Sequence, residues 1–363
     1  LLPTLGLPHL PGAPTPLLLG GFDTGLTLPG YGQAYVAIAC ILLLTLVNFL
    51  GVRFGGLVSD ASTFAKAAGL LALVLIVLLF AEGTSLGAVT PLHPPLGGGA
   101  GQPFTLGETL AGFSLALTLC LFAYDGWYSA TYVAGEVRNP RRNVPLSLLL
   151  GPLVTTVVYV AVAFASLYAV PRQDALSLPA GEYLAGRAAV NALGATGGTL
   201  VGILALVSIF GTVNAYVLTA PRISYAMARD GAFLRSMGRL DPRRGTPGYG
   251  MLLTALWSCL LVFTGLYDQL ATMVIFAVFL FHVPTALAHM VLRRRRPDLE
   301  RPFRTPLGAL LPALYLLSSL FVVAATLVLP DYRLFGLIAT GIILLGLPAY
   351  WLQARHAAPT TLD

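Results

Sequence analysis

Long apolar runs recur along the chain and restrict it to one class of fold. Nine of them approach the roughly 20 residues that an α-helix needs to cross the hydrocarbon of a bilayer. They cover residues 34–52, 62–82, 105–133, 146–170, 198–220, 248–266, 268–292, 307–329 and 334–353. Only 10% of the residues are charged and 56% are hydrophobic, which is more apolar surface than a soluble core of this size can bury. The sequence therefore predicts an all-α polytopic membrane protein with about nine transmembrane helices.

Basic residues are unevenly divided between the loops that join these runs. Seventeen arginines fall in alternate loops and in the C-terminal tail, whereas only Arg172, Arg187 and Arg333 fall in the intervening loops. Cytoplasmic loops of membrane proteins carry the excess of Lys and Arg. The pattern predicts that residues 354–363 form a cytoplasmic tail in the inner or plasma membrane. Residues 1–33, rich in Pro and Gly, are then expected as an irregular extracellular or periplasmic loop.

The remaining composition excludes several function classes. The net charge of +6 does not indicate nucleic-acid binding, because the arginines lie between apolar runs and form no basic stripe with interleaved aromatics. Cys40, Cys120 and Cys259 lie inside apolar runs, at a spacing that fits no metal site. The apolar runs hold no metal-ligand cluster and no catalytic Ser/His/Asp set. We therefore expect no metal, no cofactor and no enzymatic activity.

The third apolar run is interrupted near its centre by a carboxylate and a glycine. The segment from Thr105 to Val137 has 33 residues, about 50 Å as a helix, which is too long for one crossing without strong tilt. Asp125 and Gly126 stand in its middle, and glycine leaves helical geometry at little cost. The sequence predicts two half-helices joined by unwound backbone near residue 125.

A break at this depth predicts a binding site. Backbone groups freed from the helix cannot face lipid, so they must line a cavity or bind a ligand. The carbonyl end of a first half-helix attracts a cation, and the amide end of a second attracts an anion. Secondary transporters bind substrates at broken helices of this kind. The alternative is a simple kink with Asp125 paired inside the helix bundle.

Other polar residues inside the runs have two interpretations each. Lys66, four residues after Ser62, is either a lysine that snorkels to the cytoplasmic interface or a functional group inside the membrane. Thr212, Asn214 and Tyr216 either line a site or form hydrogen bonds between helices. The pair His282 and Pro284 marks a candidate second irregular helix, although a lone membrane histidine is more often a structural residue.

Four segments of the chain resemble the amino acid–polyamine–organocation transporters, and most closely their L-type amino-acid exchangers. "LFAYDGWYSATYVAGEVRNPRRNVPLSLLLG" resembles the family's sixth helix and the loop after it. "STFAKAAGLLALVLIV" resembles the fifth helix with its lysine, and "FGTVNAYVLTAPRISYAMARDG" the eighth. "LRRRRPDLERPFRTP" resembles the loop after the tenth. The four segments follow one another in the family's order, so their combination is specific.

The resemblance implies a leucine-transporter-like inverted-repeat fold. Transporters of this family have twelve spans with a five-plus-five repeat. Aligned in that way, the present chain begins in the loop before the fourth span and lacks the first three helices, so it is expected to be N-terminally truncated. The missing helices normally supply part of the substrate site.

The resemblance also implies roles for residues at the break. The substrate ammonium would be held by the backbone carbonyls of Phe122, Ala123, Tyr124 and Asp125. Phe122 would also be the aromatic gate over the site, Gly126 would permit the unwinding, and Trp127 would pack at the start of the second half-helix. The carboxylate of Asp125 departs from the glycine of eukaryotic exchangers.

Four further residues receive roles from the resemblance. Lys66 would replace the coupling sodium of sodium-dependent relatives. Thr212 matches a small polar residue that lines the site, and Phe279 matches an aromatic near the side-chain pocket. Tyr216 stands where a small residue is common.

The function implied is a sodium-independent amino-acid permease, and specifically an exchanger that works by alternating access. The alternatives are a proton-coupled amino-acid symporter and a transporter of polyamines or other amines. Eukaryotic exchangers attach to an ancillary glycoprotein through a cysteine before the fourth helix. Residues 1–33 contain no cysteine, so no covalent ancillary subunit is expected.

Overall fold

Helices follow the apolar runs throughout the part of the chain that the structure describes. The computed structural model describes residues 15–19, 22–28, 32–81, 106–171, 174–175, 177–178, 182–264, 267–301, 305 and 307–354. Within these ranges the α-helices are α1 (Gly32–Phe49), α2 (Val52–Phe80), α3 (Leu106–Ala123), α4 (Pro140–Ala169), α5 (Leu184–Leu193), α6 (Ala195–Arg229), α7 (Gly248–Val262), α8 (Tyr267–Arg295), α9 (Leu310–Val328) and α10 (Pro330–Ala354). Each of the nine predicted runs therefore contains a helix. Of the predicted tail at 354–363, Ala354 belongs to α10 and residues 355–363 lie outside the described residues.

The segment before α1 differs from the predicted irregular loop. Strands β1 (Thr15–Leu19) and β2 (Phe22–Leu28) form an antiparallel hairpin in which Leu19 pairs with Phe22 and Thr15 with Leu28. The register shifts between Pro16 and Leu18. Because proline has no backbone N–H to donate, it is found in strands at edges or irregularities such as this one. The prediction of an irregular segment is wrong for these residues.

Several helices have the length and composition to cross a bilayer. Among the described residues, five helical segments satisfy both conditions, and they lie in α2, α4, α6, α8 and α9. Shorter apolar helical segments lie in α1, α7 and α10. One face of α4 carries the side chains of Leu149, Leu153, Val157 and Val160, each between 56% and 62% exposed. Exposed apolar side chains at this helical spacing are suited to lipid and not to water.

Several helices depart from their predictions. Helix α2 begins at Val52 and not near residue 62, and α4 begins at Pro140 and not near residue 146. Helix α6 was expected to end near residue 220, but it continues to Arg229, and Arg222 donates a hydrogen bond to the carbonyl of Leu218 inside it. Helix α8 passes through Pro284 without interruption, so the prediction of an irregular helix at His282 and Pro284 is wrong. A proline inside a membrane helix is tolerated where neighbouring groups satisfy the backbone groups that it frees.

The chain folds as two compact units. Unit 1 comprises residues 1–92, 150–230 and 234–265, and unit 2 comprises residues 93–149, 231–233 and 266–363. In unit 1, one end of α2 packs against the end of α4 and against α5, with Val77, Ala169 and Ala188 buried together. Asn191 of α5 donates to the carbonyl of Ala169, 2.9 Å away, and so satisfies a terminal carbonyl of α4.

A buried polar cluster joins α1, α2 and α6 in unit 1. Asn48 donates to Asn214 Oδ1 at 2.8 Å, and Asn214 donates to the Gly55 carbonyl at 2.9 Å and to Ser59 Oγ at 2.8 Å. Asn48 Oδ1 has no hydrogen-bond partner among the described residues and occupies the space where a Cβ on Gly55 would lie. Gly55 therefore makes room for the amide, and Asn214 is confirmed as a residue that bonds between helices.

Replacing Asn214 with alanine is expected to destabilise the protein by about 1–2 kcal/mol, because the Asn48 amide and the Gly55 carbonyl lose a buried partner. Thermal unfolding in detergent measures the effect. Thr199 is the control, because it lies exposed on the same helix and its hydroxyl donates only within that helix, to the Ala195 carbonyl at 3.2 Å. If Asn214→Ala unfolds at the same temperature as Thr199→Ala and the wild type, the cluster has no stabilising role.

Unit 2 is built around the packing of α8 against α9 and α10. Phe276 of α8 is fully buried. A Cβ on Gly336 would come within 3.2 Å of both Leu327 and Thr326 and within 3.7 Å of the Phe276 ring. The glycine therefore lets α10 approach α9 closely, which is the role that small residues have between membrane helices.

Candidate functional site

The predicted break in the third run is present in the structure. Helix α3 ends at Ala123, where the Asp125 N–H donates to the Phe122 carbonyl at 3.0 Å and closes a tighter turn. Gly126 follows with φ of 88° and ψ of −5°, in the left-handed region that glycine adopts without steric cost. The chain therefore leaves α-helical geometry between Ala123 and Gly126, near residue 125 as predicted.

The second half of the broken run differs from the prediction. It contains two short 3-10 segments, Trp127–Thr131 and Ala134–Glu136, instead of an α-helix. The next α-helix begins only at Pro140. Trp127 therefore begins a 3-10 turn and not a second α-half-helix.

The side chain of Asp125 is held by a residue one turn later. Tyr128 donates its hydroxyl proton to Asp125 Oδ1 across 3.0 Å. Trp127 and Tyr128 pack edge to face, with ring centroids 5.8 Å apart. Trp127 and Tyr128 both belong to the 3-10 turn that follows the break.

Aromatic residues of α8 and α9 extend this cluster. The Tyr128 ring meets His282 of α8 edge to face at 5.1 Å, and His282 meets Phe279 at 5.7 Å. Tyr315 of α9 lies 6.4 Å from the Trp127 ring and shares a 2.6 Å hydrogen bond with His282 Nδ1. Unit 2 therefore brings together the predicted residues Asp125, Trp127 and Phe279.

Three residues of this cluster were not predicted as site residues. Tyr128 had a local signal, since it stands three residues after Asp125. His282 was noted in the sequence and interpreted as structural. Tyr315 had no signal, because it is one polar hydroxyl in a long apolar helix and its partner is 33 residues away.

Unit 1 contains the predicted residues Lys66, Thr212 and Tyr216. Lys66 Nζ lies 3.5 Å from Thr212 Oγ1, at the outer limit of a hydrogen bond. Thr212 donates its own proton to the Ser208 carbonyl at 2.9 Å, so its oxygen lone pairs remain directed at an incoming donor. The lysine ammonium therefore bridges α2 and α6.

A close approach of α2 and α6 places this lysine. A Cβ on Gly211 would lie 2.5 Å from the Cβ of Ser62, so only glycine fits there. Ser62 is one helical turn before Lys66, and Gly211 is the neighbour of Thr212. Tyr216, one turn beyond Thr212, is 47% exposed. Phe122 and Ala123 lie at the end of α3 and Tyr124 follows it, all three in unit 2.

The chain as a whole matches a known family. The family model described as amino acid permease matches residues 22–347. The chain belongs to this family. The match confirms the resemblance to the amino acid–polyamine–organocation transporters and to their α-helical, multi-pass membrane fold of the leucine-transporter type. How many helices the permease has in the membrane, and whether its first three are missing, stay predictions.

Individual relatives are amino-acid exchangers or transporters by name. The serine/threonine exchanger SteT of Bacillus subtilis (strain 168) is 28% identical over 325 residues, which cover 89% of the permease and 70% of that protein. The b(0,+)-type amino acid transporter 1 of Homo sapiens is 29% identical over 309 residues, 85% of the permease and 60% of the relative. The large neutral amino acids transporter small subunit 2 of Homo sapiens is 31% identical over 332 residues, which cover 89% of this chain and 58% of that protein. The permease thus spans 58% to 70% of the lengths of these relatives.

Proposed function

We propose that this protein is a sodium-independent amino-acid exchanger that works by alternating access. The observation that carries the proposal is the interruption of an apolar helix at Asp125 and Gly126, in a chain that belongs to the amino acid permease family. An exposed polar backbone in the middle of a membrane helix is costly, and it is retained where it binds a ligand.

The α-amino group of the substrate binds at the end of α3. The last carbonyls of a helix carry the negative end of its dipole and attract a cation. A substrate ammonium is such a cation, and the backbone carbonyls of Phe122, Ala123, Tyr124 and Asp125 are its ligands in this proposal. The aromatic rings of Phe122 and Trp127, both well exposed beside the break, provide apolar cover for the bound substrate.

Lys66 makes the transport independent of sodium. Its ammonium supplies a cation between α2 and α6, where it faces the hydroxyl oxygen of Thr212. Hydroxyl oxygens also coordinate metal cations, so a lysine at this place removes the need for sodium. Thr212, Tyr216 and Phe279 stay predictions as residues that select the substrate side chain.

In this proposal the protein lies in the plasma or inner membrane, with its C-terminus in the cytoplasm. Loops assigned to the same side contact one another within each unit, which supports it. In unit 1, the Arg244 guanidinium lies 4.6 Å above the Phe49 ring at the end of α1. In unit 2, Arg141 and Glu300 form an ion pair of 3.1 Å. Both pairs join segments that the arginine distribution assigns to the cytoplasm.

Uptake into proteoliposomes tests the exchange directly. Vesicles without sodium are either empty or loaded with unlabelled amino acid, and uptake of labelled L-serine, L-threonine, L-leucine or putrescine is followed. We expect labelled amino acid to enter loaded vesicles at least about tenfold faster than empty ones, since an exchanger returns only with substrate bound.

Two other results would identify the alternatives. Accumulation in empty vesicles under an imposed inward proton gradient would replace the exchanger with a proton symporter. Preferential uptake of putrescine would replace the amino-acid substrate with a polyamine, whose second ammonium would pair with the Asp125 carboxylate. That carboxylate accepts a hydrogen bond from the Tyr128 hydroxyl beside the break.

A further inference from the structure

His282 stands at the centre of a polar cluster that the proposed transport cycle does not use. Its Nδ1 shares a hydrogen bond of 2.6 Å with the hydroxyl of Tyr315. Its ring also contacts Tyr128, whose hydroxyl donates to the Asp125 carboxylate. A histidine is thus connected, through one tyrosine, to the residue at the helix break.

The position of this histidine is unusual for a purely structural residue. His282 lies near the middle of α8, between Tyr267 and Arg295, and it is half-buried. Ionisable groups at such depth are costly and are associated with proton and ion pathways. Imidazole is also the side chain whose charge changes most readily between pH 5 and 8.

The Tyr315 contact can accommodate both charge states of the imidazole. When the ring is neutral with its proton on Nε2, Tyr315 donates to Nδ1. When the ring is protonated, both nitrogens are donors, so Nδ1 donates to the Tyr315 oxygen and the tyrosine proton turns away. A single proton added to His282 therefore reverses one hydrogen bond without breaking the contact.

The negative charge closest along this cluster belongs to Asp125. Its carboxylate accepts a hydrogen bond from Tyr128, whose ring contacts His282. The elements packed around His282 contribute few other titratable groups. Tyr315 is the one on α9, Tyr128 and Tyr132 follow the break, and those of α10 (Asp331, Tyr332, Arg333 and Tyr350) lie within five residues of its ends.

We propose that His282, together with Tyr315 and the Asp125–Tyr128 pair, is a proton-binding site that competes with the substrate ammonium. The inference rests on the proposed function, because the competitor is the amine held at the break. Two cations near one carboxylate repel each other, so a protonated His282 weakens amine binding. By linkage, substrate binding must expel the proton from His282 to water to the same extent.

The first test measures the KM for exchange of labelled L-serine or L-leucine, whichever is faster, at pH 5.5 and 7.5. The proposal predicts a KM about tenfold higher at pH 5.5, within the range of ordinary site-to-site coupling. His282→Gln should make the two values equal within about twofold. His289 is the matched control, because it lies two turns further along the same helix and is exposed, and His289→Gln should keep the wild-type ratio.

Two further measurements separate proton binding from a structural role. Tyr315→Phe keeps the imidazole but removes its hydrogen-bond partner. The pH at which KM lies midway between its low-pH and high-pH values should therefore shift, while the total change in KM between those limits stays as in the wild type. In weakly buffered detergent solution, the wild type and His289→Gln should release protons when the amino acid is added, and His282→Gln should release fewer.

The outcomes distinguish this proposal from the one on which it rests. If exchange occurs with the same KM at both pH values, or if His282→Gln keeps the wild-type pH dependence, the proton site is overturned and the exchanger remains. An unmoved half-effect in Tyr315→Phe also overturns the site. If neither amino acid exchanges at any pH, the proposed function itself is wrong.

Discussion

Gly126→Ala is expected to lower the rate of amino-acid exchange by about tenfold. Gly126 has a φ of 88°, and an L-residue in this left-handed region costs about 1–2 kcal/mol. The backbone of the variant relieves this strain by shifting the turn that ends α3. Such a shift moves the carbonyls of Tyr124 and Asp125 away from the substrate ammonium, and each 1.4 kcal/mol of lost binding is a factor of about ten.

A glycine inside α3, the helix before the break, provides the control. Gly112 has ordinary helical geometry and nothing within 4 Å of the position where a Cβ would lie. Gly112→Ala should leave exchange unchanged, because alanine fits a helix better than glycine. Gly126→Asn should retain more activity than Gly126→Ala, since asparagine tolerates the left-handed region. Equal exchange rates for Gly126→Ala and Gly112→Ala would contradict a functional role for the unwound backbone.

Lys66→Ala is expected to lower exchange by about tenfold or more without unfolding the protein. The substitution removes the cation that bridges α2 and α6 through the Thr212 hydroxyl. Because the charge itself is lost and not only the long contact with Thr212, we expect a loss of at least about 1.4 kcal/mol, which corresponds to roughly tenfold. Exchange rates in sodium-free proteoliposomes measure the loss, and detergent gel filtration checks that the variant folds.

The controls for Lys66 lie on the same two helices. Thr63 of α2 is exposed and donates to the Ser59 carbonyl of its own helix, so Thr63→Ala should exchange at the wild-type rate. Thr212→Val should be intermediate, because it removes a contact that is already 3.5 Å long and leaves the ammonium in place. A fully active Lys66→Ala protein would show that the lysine only snorkels to the interface.

Much of the helical framework could be predicted because apolar runs of membrane length have few alternatives to a helix. The break could be predicted because the third run is too long for one crossing and carries Asp125 and Gly126 near its middle. The 3-10 geometry from Trp127 to Thr131 could not, because it follows from tertiary contacts of Trp127 and Tyr128 with side chains far along the chain.

Two other differences have separate physical causes. The hairpin before α1 had a signal in its sequence: Gly20 and Gly21 separate two apolar segments, as in a two-residue turn. The many prolines of that region obscured it. The His282–Tyr315 contact had none, because periodicity places residues on a helix face but does not pair the faces of two different helices.

Competition by substrate analogues tests the central claim, that the helix break holds an α-amino group. Exchange of labelled L-leucine, or of L-serine where that is faster, is measured in sodium-free proteoliposomes against the unlabelled amino acid and against its 2-hydroxy acid analogue. The two compounds share the carboxylate and side chain and differ only in the amine. The account predicts that the amino acid inhibits and that the hydroxy acid inhibits at least about tenfold more weakly. The reason is that the backbone carbonyls of residues 122–125 lose their charged partner. Equal inhibition by the two compounds would contradict it.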